Sequence, residues 1–145
     1  MNYAASVKPF LWFNCDLTDV IDFYQGIFDN FKVQSNYGLS AEFDFGGTLL
    51  MAANFGPAFQ FNESFSLFVT CQDQLEVDYY WNRLLEGGGE PGRCGWLKDR
   101  FGLSWQIVPT ALGESLSNQD AARANYARNA MMGMSKIVIS ELTQN

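Results

Sequence analysis

The sequence predicts an α+β fold in which one pattern, a strand, a helix and further strands, is read twice and followed by a C-terminal helical tail. Three observations carry that expectation. Short aromatic or β-branched runs are each followed by a capped stretch with apolar residues at helical spacing. The pattern restarts near Phe65 after a turn-rich link, at a period of about 55 to 60 residues. From Gln119 onward the composition shifts to Ala and Met, which are good helix formers.

Taken in order, Val7 to Asn14 is short, apolar and aromatic with Pro9 near its start, which suits a strand. Asp16 or Thr18 can cap a helix in which Val20, Ile21, Phe23, Tyr24, Ile27 and Phe28 share a face, running to about Asn30. Phe31 to Ser35 reads as a strand, Asn36-Tyr37-Gly38 as a turn, and Ala41 to Phe45 as a strand that alternates Glu42 and Asp44 against Ala41, Phe43 and Phe45. Gly46-Gly47 leads into a strand over Thr48 to Asn54. Phe55 to Ser64, with Gly56-Pro57, links the halves. Phe65 to Cys71 opens the second half as a strand, and Asp73 caps a helix carrying Leu75, Val77, Tyr80, Trp81, Leu84 and Leu85 up to the stop at Gly87-Gly88-Gly89. Cys94 to Leu97 and Leu103 to Val108 are strands around a turn at Asp99 to Gly102. Lys136 to Leu142 is compatible with a last short strand or a helical turn. The modules thus cover about 5–55 and about 63–110, and the tail about 117–145.

Composition narrows the function. The 145 residues are 48% hydrophobic and 17% charged, enough for one buried core and unlike a disordered chain or a small disulfide scaffold. Nine Lys and Arg against sixteen Asp and Glu give a net charge of −7, which argues against nucleic acid and anionic membranes as partners. The absence of histidine removes the usual general base, the commonest zinc ligand and every Ser-His or Cys-His nucleophile pair. Cys15, Cys71 and Cys94 form no Cys-x-x-Cys, and as reduced thiols they fit a cytoplasmic location. No apolar run approaches the roughly 18 residues of a membrane span, and Met1 to Val7 lacks the form of a signal peptide.

Several residues are candidates for chemistry, each with a plain structural alternative. Along Leu103 to Val108, Ser104, Gln106 and Val108 share one face, and Leu103, Trp105 and Ile107 the other. Gln106 is a candidate ligand for a metal or substrate, or an amide satisfied by its neighbours. Asp99 and Arg100 are either a substrate clamp or a solvated turn with a local ion pair. Glu42 and Asp44 place two carboxylates on one strand face, which is either a site or an exposed surface. Cys94 follows Arg93, a setting for a thiolate or for an inert thiol. Gly87-Gly88-Gly89 follows a helix and lacks the Gly-Lys-Ser/Thr ending of a phosphate loop, so it reads as a helix stop. Trp12 and Trp81 are expected in the core, and Phe55, Phe59 and Phe61 in a pocket wall, a dimer contact or both.

The stretch Glu86-Gly87-Gly88 through Cys94-Gly95-Trp96-Leu97-Lys98-Asp99-Arg100-Phe101-Gly102-Leu103-Ser104-Trp105-Gln106-Ile107-Val108-Pro109 resembles the PhnB-like branch of the vicinal oxygen chelate superfamily, relatives of glyoxalase I, bleomycin resistance proteins and extradiol dioxygenases. Phe10-Leu11-Trp12-Phe13, Phe23-Tyr24 with Ile27-Phe28, Glu76 to Trp81, and the tail with Met131, Met132, Met134 and Lys136 extend the resemblance over nearly the whole chain. It implies paired βαβββ modules forming a cupped, curled mixed sheet, and a homodimer. It also implies a divalent metal held by His, Glu or Gln from strands of both modules. Those positions fall on Pro9, on Leu50 or Met51, on Ser64 or Phe65, and on Gln106. The chain departs from the branch in a short Asn36 to Ser40 loop and in Ala58, where relatives often carry His.

The resulting expectation is a binding protein without cofactor or conventional metal, taking a small apolar or planar molecule in a pocket lined by Leu11, Phe13, Phe43, Leu67 and Gln106. The alternative is a metal-dependent lyase, isomerase or dioxygenase using Glu42, Asp44, Glu63 or Gln106 as ligands. Some members of the branch carry a 3-demethylubiquinone 3-methyltransferase label. Methyl transfer is not expected here, because no glycine-rich strand-to-helix turn followed by an acidic residue is present.

Overall fold

The computed structural model describes residues 1–144. Contacts divide the chain into two compact units, one over residues 1–60 and the other from Phe61 onward. The first contains β1 (Phe10–Phe13), α1 (Leu17–Gln25), β2 (Phe31–Asn36), β3 (Ser40–Phe45) and β4 (Thr48–Asn54). The second contains β5 (Ser66–Cys71), α2 (Gln74–Leu85), β6 (Glu90–Pro91), β7 (Trp96–Lys98) and β8 (Ser104–Pro109), then α3 (Thr110–Leu116) and α4 (Ala121–Met132).

The repeat is therefore real at the level of topology. The first sheet has the order β1-β4-β3-β2 and the second β5-β8-β7-β6. In each, the first and last strands of the module pair in parallel and the remaining neighbours are antiparallel. A parallel pair needs a crossover, and the helix together with the intervening hairpin supplies it. Both units are βαβββ-like modules with four-stranded mixed sheets.

Helix α1 starts where Asp16 accepts a hydrogen bond from the Thr18 backbone N–H at 2.9 Å. It stops at Gln25, a turn earlier than the periodicity predicts. Ile27 and Phe28 stay buried, but their N–H groups close on the Tyr24 carbonyl in a tight turn that leads into β2. Helix α2 is capped by Asp73, which accepts from Glu76 N–H at 2.9 Å, while the Glu76 carboxylate accepts from Gln72 N–H at 2.7 Å. It ends at Gly87 and Gly88, whose φ values of 80° and 114° favour glycine, and at Gly89, where a Cβ would lie 2.7 Å from the Leu85 backbone.

The tail packs on its own unit. Leu112, Met134, Ile137 and Leu142 form one buried cluster, and Ala124 and Ala127 of α4 are buried as well. The short α3 and β6 leave no mark in the sequence, because seven and two residues carry too little periodicity. Lys136 to Leu142 contains a single 3₁₀ turn at Ile139–Glu141. Among the described residues, no helix is long and apolar enough to cross a membrane.

Candidate functional site

Strand alternation divides each sheet into a face under its helix and an open face. In the first unit, Tyr24 of α1 and Phe28 of the turn after it meet Phe45 edge-on, and Tyr24 also meets Phe31, so the residues in phase with Phe43 and Phe45 face the helix. Leu11 pairs with Ala52, and Ala52 with Ala41, on that same face. Leu11, Phe13 and Phe43 are consequently core residues, at 1%, 1% and 0% exposure. They are shut away beneath α1 rather than presented to a ligand.

The open face carries the opposite set. Phe10 and Trp12 of β1 are joined by Phe55 and Phe59 of the following link, with ring centroids 6.0 Å apart for Phe10–Phe55, 5.1 Å for Trp12–Phe55 and 4.8 Å for Trp12–Phe59. Phe10, Phe55 and Phe59 are exposed, and the Trp12 indole is fixed by donating to the Gly56 carbonyl at 2.9 Å. Trp12 is thus not the core residue that sequence predicts. The Phe55 and Phe59 rings fold back on the strand and form a continuous aromatic surface with it. Beside it, Glu42 is bonded to Lys8, and Asp44 accepts from Gly47 N–H at 2.6 Å and lies 3.8 Å from Lys32.

In the second unit, Leu67 and Trp105 are paired in register, as are Val69 and Ile107. Trp105 and Ile107 are buried with Val77, Trp81 and Leu84 of α2, so Leu67 also belongs to the helix side. Gln106 lies on the open face beside Trp96, with its amide donating to Ser66 Oγ at 3.0 Å. Next along that face, Lys98 and Ser104 are register partners. Lys98 Nζ lies 2.5 Å from Glu63, and this contact raises the lysine pKa and lowers that of the glutamate. A hollow of about 360 Å³, walled by Glu90, Pro91, Trp96, Lys98 and Ser104 among others, opens there.

The sequence of the 3-demethylubiquinone-9 3-methyltransferase family matches this chain over residues 5–108. The chain belongs to that family. This 3-demethylubiquinone-9 3-methyltransferase family member shares its fold with solved structures of proteins that carry several different names. A putative 3-demethylubiquinone-9 3-methyltransferase, PhnB protein, from Bacillus cereus is 24% identical with a TM-score of 0.63, over 72% of this chain and 99% of that one. A fosfomycin resistance protein from Listeria monocytogenes, solved with Mn(II) and sulfate, is 18% identical with a TM-score of 0.54, over 72% and 88%. A possible glyoxalase from Bacillus cereus is 18% identical with a TM-score of 0.51, over 70% and 96%. No curated protein matches the chain.

The donor set of this family member does not fit a divalent metal. Pro9 offers no side-chain donor, Leu50 is buried under α1, and the side chains of Met51 and Phe65 carry no oxygen. Ser64 bonds Asn62 at 2.5 Å, and Glu42, Asp44, Glu63 and Gln106 are each engaged as described. Among the described residues, no group of three or more His, Cys, Asp or Glu stands together as a metal would require. A nucleotide cradle is equally poorly served, since the strand-to-helix turns at Asn14-Cys15-Asp16 and Gln72-Asp73 contain no glycine.

Asp99 and Cys94 have structural surroundings. Asp99 is buried, and its carboxylate accepts from Phe101 N–H at 2.9 Å, Leu103 N–H at 3.1 Å and the Trp105 indole at 2.9 Å. The solvated turn expected there is instead held from inside. Cys94 adopts φ 57° and its N–H donates to the Met134 carbonyl at 2.9 Å, tying the tail to the strand that follows.

Proposed function

We propose that this PhnB-like protein binds a small apolar or planar molecule, and that the aromatic surface of Phe10, Trp12, Phe55 and Phe59 is its seat. The observation that carries the reading is that exposed rings are packed against one another. Three of these rings face outward while edge contacts and the Trp12–Gly56 hydrogen bond fix their geometry, so a flat ligand gains contact area at low ordering cost. The seat is the open face of β1, in place of Leu11, Phe13, Phe43 and Leu67. Gln106 is the polar residue of the corresponding face of the second unit.

In the same reading each sheet curls into a cup around its open face, the protein is a homodimer, and it works in the cytoplasm. Its function is sequestration, without a conventional metal or a nucleotide cofactor. The lack of oxygen and nitrogen donors at Pro9, Leu50 and Met51, and the glycine-free strand-to-helix turns, support binding over both metal-assisted chemistry and methyl transfer.

Thermal unfolding of untagged protein with 2-naphthol, a neutral planar probe, tests this. A ligand at a hundred times its Kd stabilises by about 2.7 kcal/mol, so Tm should rise by roughly 5 to 10 °C. The double variant Phe55→Ser/Phe59→Ser alters only exposed rings and should keep its own Tm within a few degrees while losing that rise. Absence of any rise in the parent protein, or an equal rise in the variant, would overturn the reading.

A further inference from the structure

Among the described residues, Ser104 Oγ is a buried side-chain oxygen with no hydrogen-bond partner, and Ser104 is only 1% exposed. Buried hydroxyls are normally satisfied, so an orphan in the wall of a hollow marks a group that is completed by something else. Its surroundings say what that is. Ser104 and Lys98 are register partners on adjacent antiparallel strands, which sets their Cβ atoms about 5 Å apart on one face. Trp96 is two residues along β7 on the same face, and Pro91 adds a second apolar wall.

Lys98 already holds a carboxylate, that of Glu63 from the segment before β5. This contact leaves Ser104 unpaired. It is also open to solvent, with the Glu63 side chain 61% exposed, so little is lost when it is exchanged for another carboxylate. A free carboxylate can do what Glu63 does not, accepting from Ser104 Oγ and Lys98 Nζ at once.

We propose that this hollow binds a small organic monocarboxylate, with its carboxylate bridging Ser104 and Lys98 in place of Glu63 and its body against Trp96 and Pro91. The charge of the lining selects the monoanion. Glu63 and Glu90 balance Arg93 and Lys98, and the chain carries −7 overall, so inorganic phosphate, with more charge and no apolar body, is disfavoured. The volume of about 360 Å³ lies at the small end of ligand sites. This site lies wholly in the second unit and does not depend on the aromatic surface of the first.

Titration calorimetry of untagged protein with benzoate tests the proposal. Benzoate should bind with a single site, whereas benzamide and inorganic phosphate should not. Ser104→Ala should weaken binding about tenfold or more, and Lys98→Gln similarly. Glu63→Gln, which removes the internal competitor, should tighten it a few-fold. Ser104→Ala should also unfold at the same temperature as the parent or higher, because the hydroxyl it removes has no partner. Phe55→Ser/Phe59→Ser should bind benzoate unchanged, whatever the fate of 2-naphthol. Loss of benzoate binding in that double variant, retention of it in Ser104→Ala, no gain in Glu63→Gln, or a large fall in the Tm of Ser104→Ala would each overturn the proposal.

Discussion

The Asp99 carboxylate lies almost out of reach of water, and the turn between β7 and β8 is built to receive it: two backbone N–H groups and the Trp105 indole converge on its oxygens. Removing the acceptor would strand those donors in the interior, at about 1 to 3 kcal/mol for each that stays dry. Asp99→Ala should therefore lower the unfolding free energy by about 3 kcal/mol, and Asp99→Asn by less, as its amide oxygen can still accept. Urea unfolding of the two variants checks this, and a loss under about 1 kcal/mol for the alanine would mean that water reaches the turn. Cys71 gives a pH signature. Burial first, and the nearby Glu76 and Asp73 carboxylates after it, push its pKa up to about 12. An unfolded cysteine ionises near 8.5, so between these values the unfolded chain has lost a proton that the folded chain keeps. The contribution is complete below about pH 8.5 and fades as pH rises toward the folded value. Urea midpoints at neutral and alkaline pH should accordingly fall more steeply for the parent than for Cys71→Ala, and parallel falls would contradict the assignment.

At the scale of elements, Gln74 joins the first turn of α2 to the tail. Its amide donates to the Ile137 carbonyl at 3.0 Å and accepts from Ile139 N–H at 2.8 Å, while Lys136 pairs with Asp78 one turn further on. These are the polar counterparts of the Leu112, Met134, Ile137 and Leu142 cluster. Gln74→Ala should leave the sheet intact and loosen the segment around Ile137 to Glu141, seen as faster amide exchange there and unchanged exchange in β8. Uniform acceleration across the unit would show instead that the tail and sheet open together. None of this linkage is visible in sequence, because residues 74 and 139 are brought together by the fold alone. The elements themselves were far more legible. Asp16 and Asp73 mark the helix of each module, and the alternation of Glu42 and Asp44 with Phe43 and Phe45 gives β3 its two faces. In Phe10-Leu11-Trp12-Phe13 every residue is apolar, so no polar beat reveals which pair the helix covers. Sequence alone therefore does not separate Leu11 and Phe13, which the helix covers, from Phe10 and Trp12, which it leaves on the open face. In β8 the alternation did show, and Ser104 and Gln106 share the face read from sequence. The significance of Ser104 needed Lys98 and Glu63 beside it.

For the whole molecule, the decisive feature is the lack, among the described residues, of grouped metal-binding side chains on its strands. With no histidine, a divalent site must be assembled from carboxylates and amides. The chain has sixteen acidic residues, yet Glu42 and Asp44 on the open face of β3 are committed to Lys8 and to Gly47 and Lys32, and Glu63 before β5 is committed to Lys98. Freeing one for a metal would break a contact and leave its cation beside the ion, which opposes binding by charge repulsion. Gln106 brings one neutral oxygen, and a single amide does not hold a hard cation against water. Protein purified without a chelator and without a histidine tag should therefore contain far less than one equivalent of any transition metal by elemental analysis, and Mn(II) should leave its Tm unchanged. A tag would supply the very ligands the chain lacks, so its omission is essential. Near-stoichiometric metal that survives dialysis would mean that carboxylates leave their lysines to form a site, and Glu42→Gln and Glu63→Gln would then identify which pair opens.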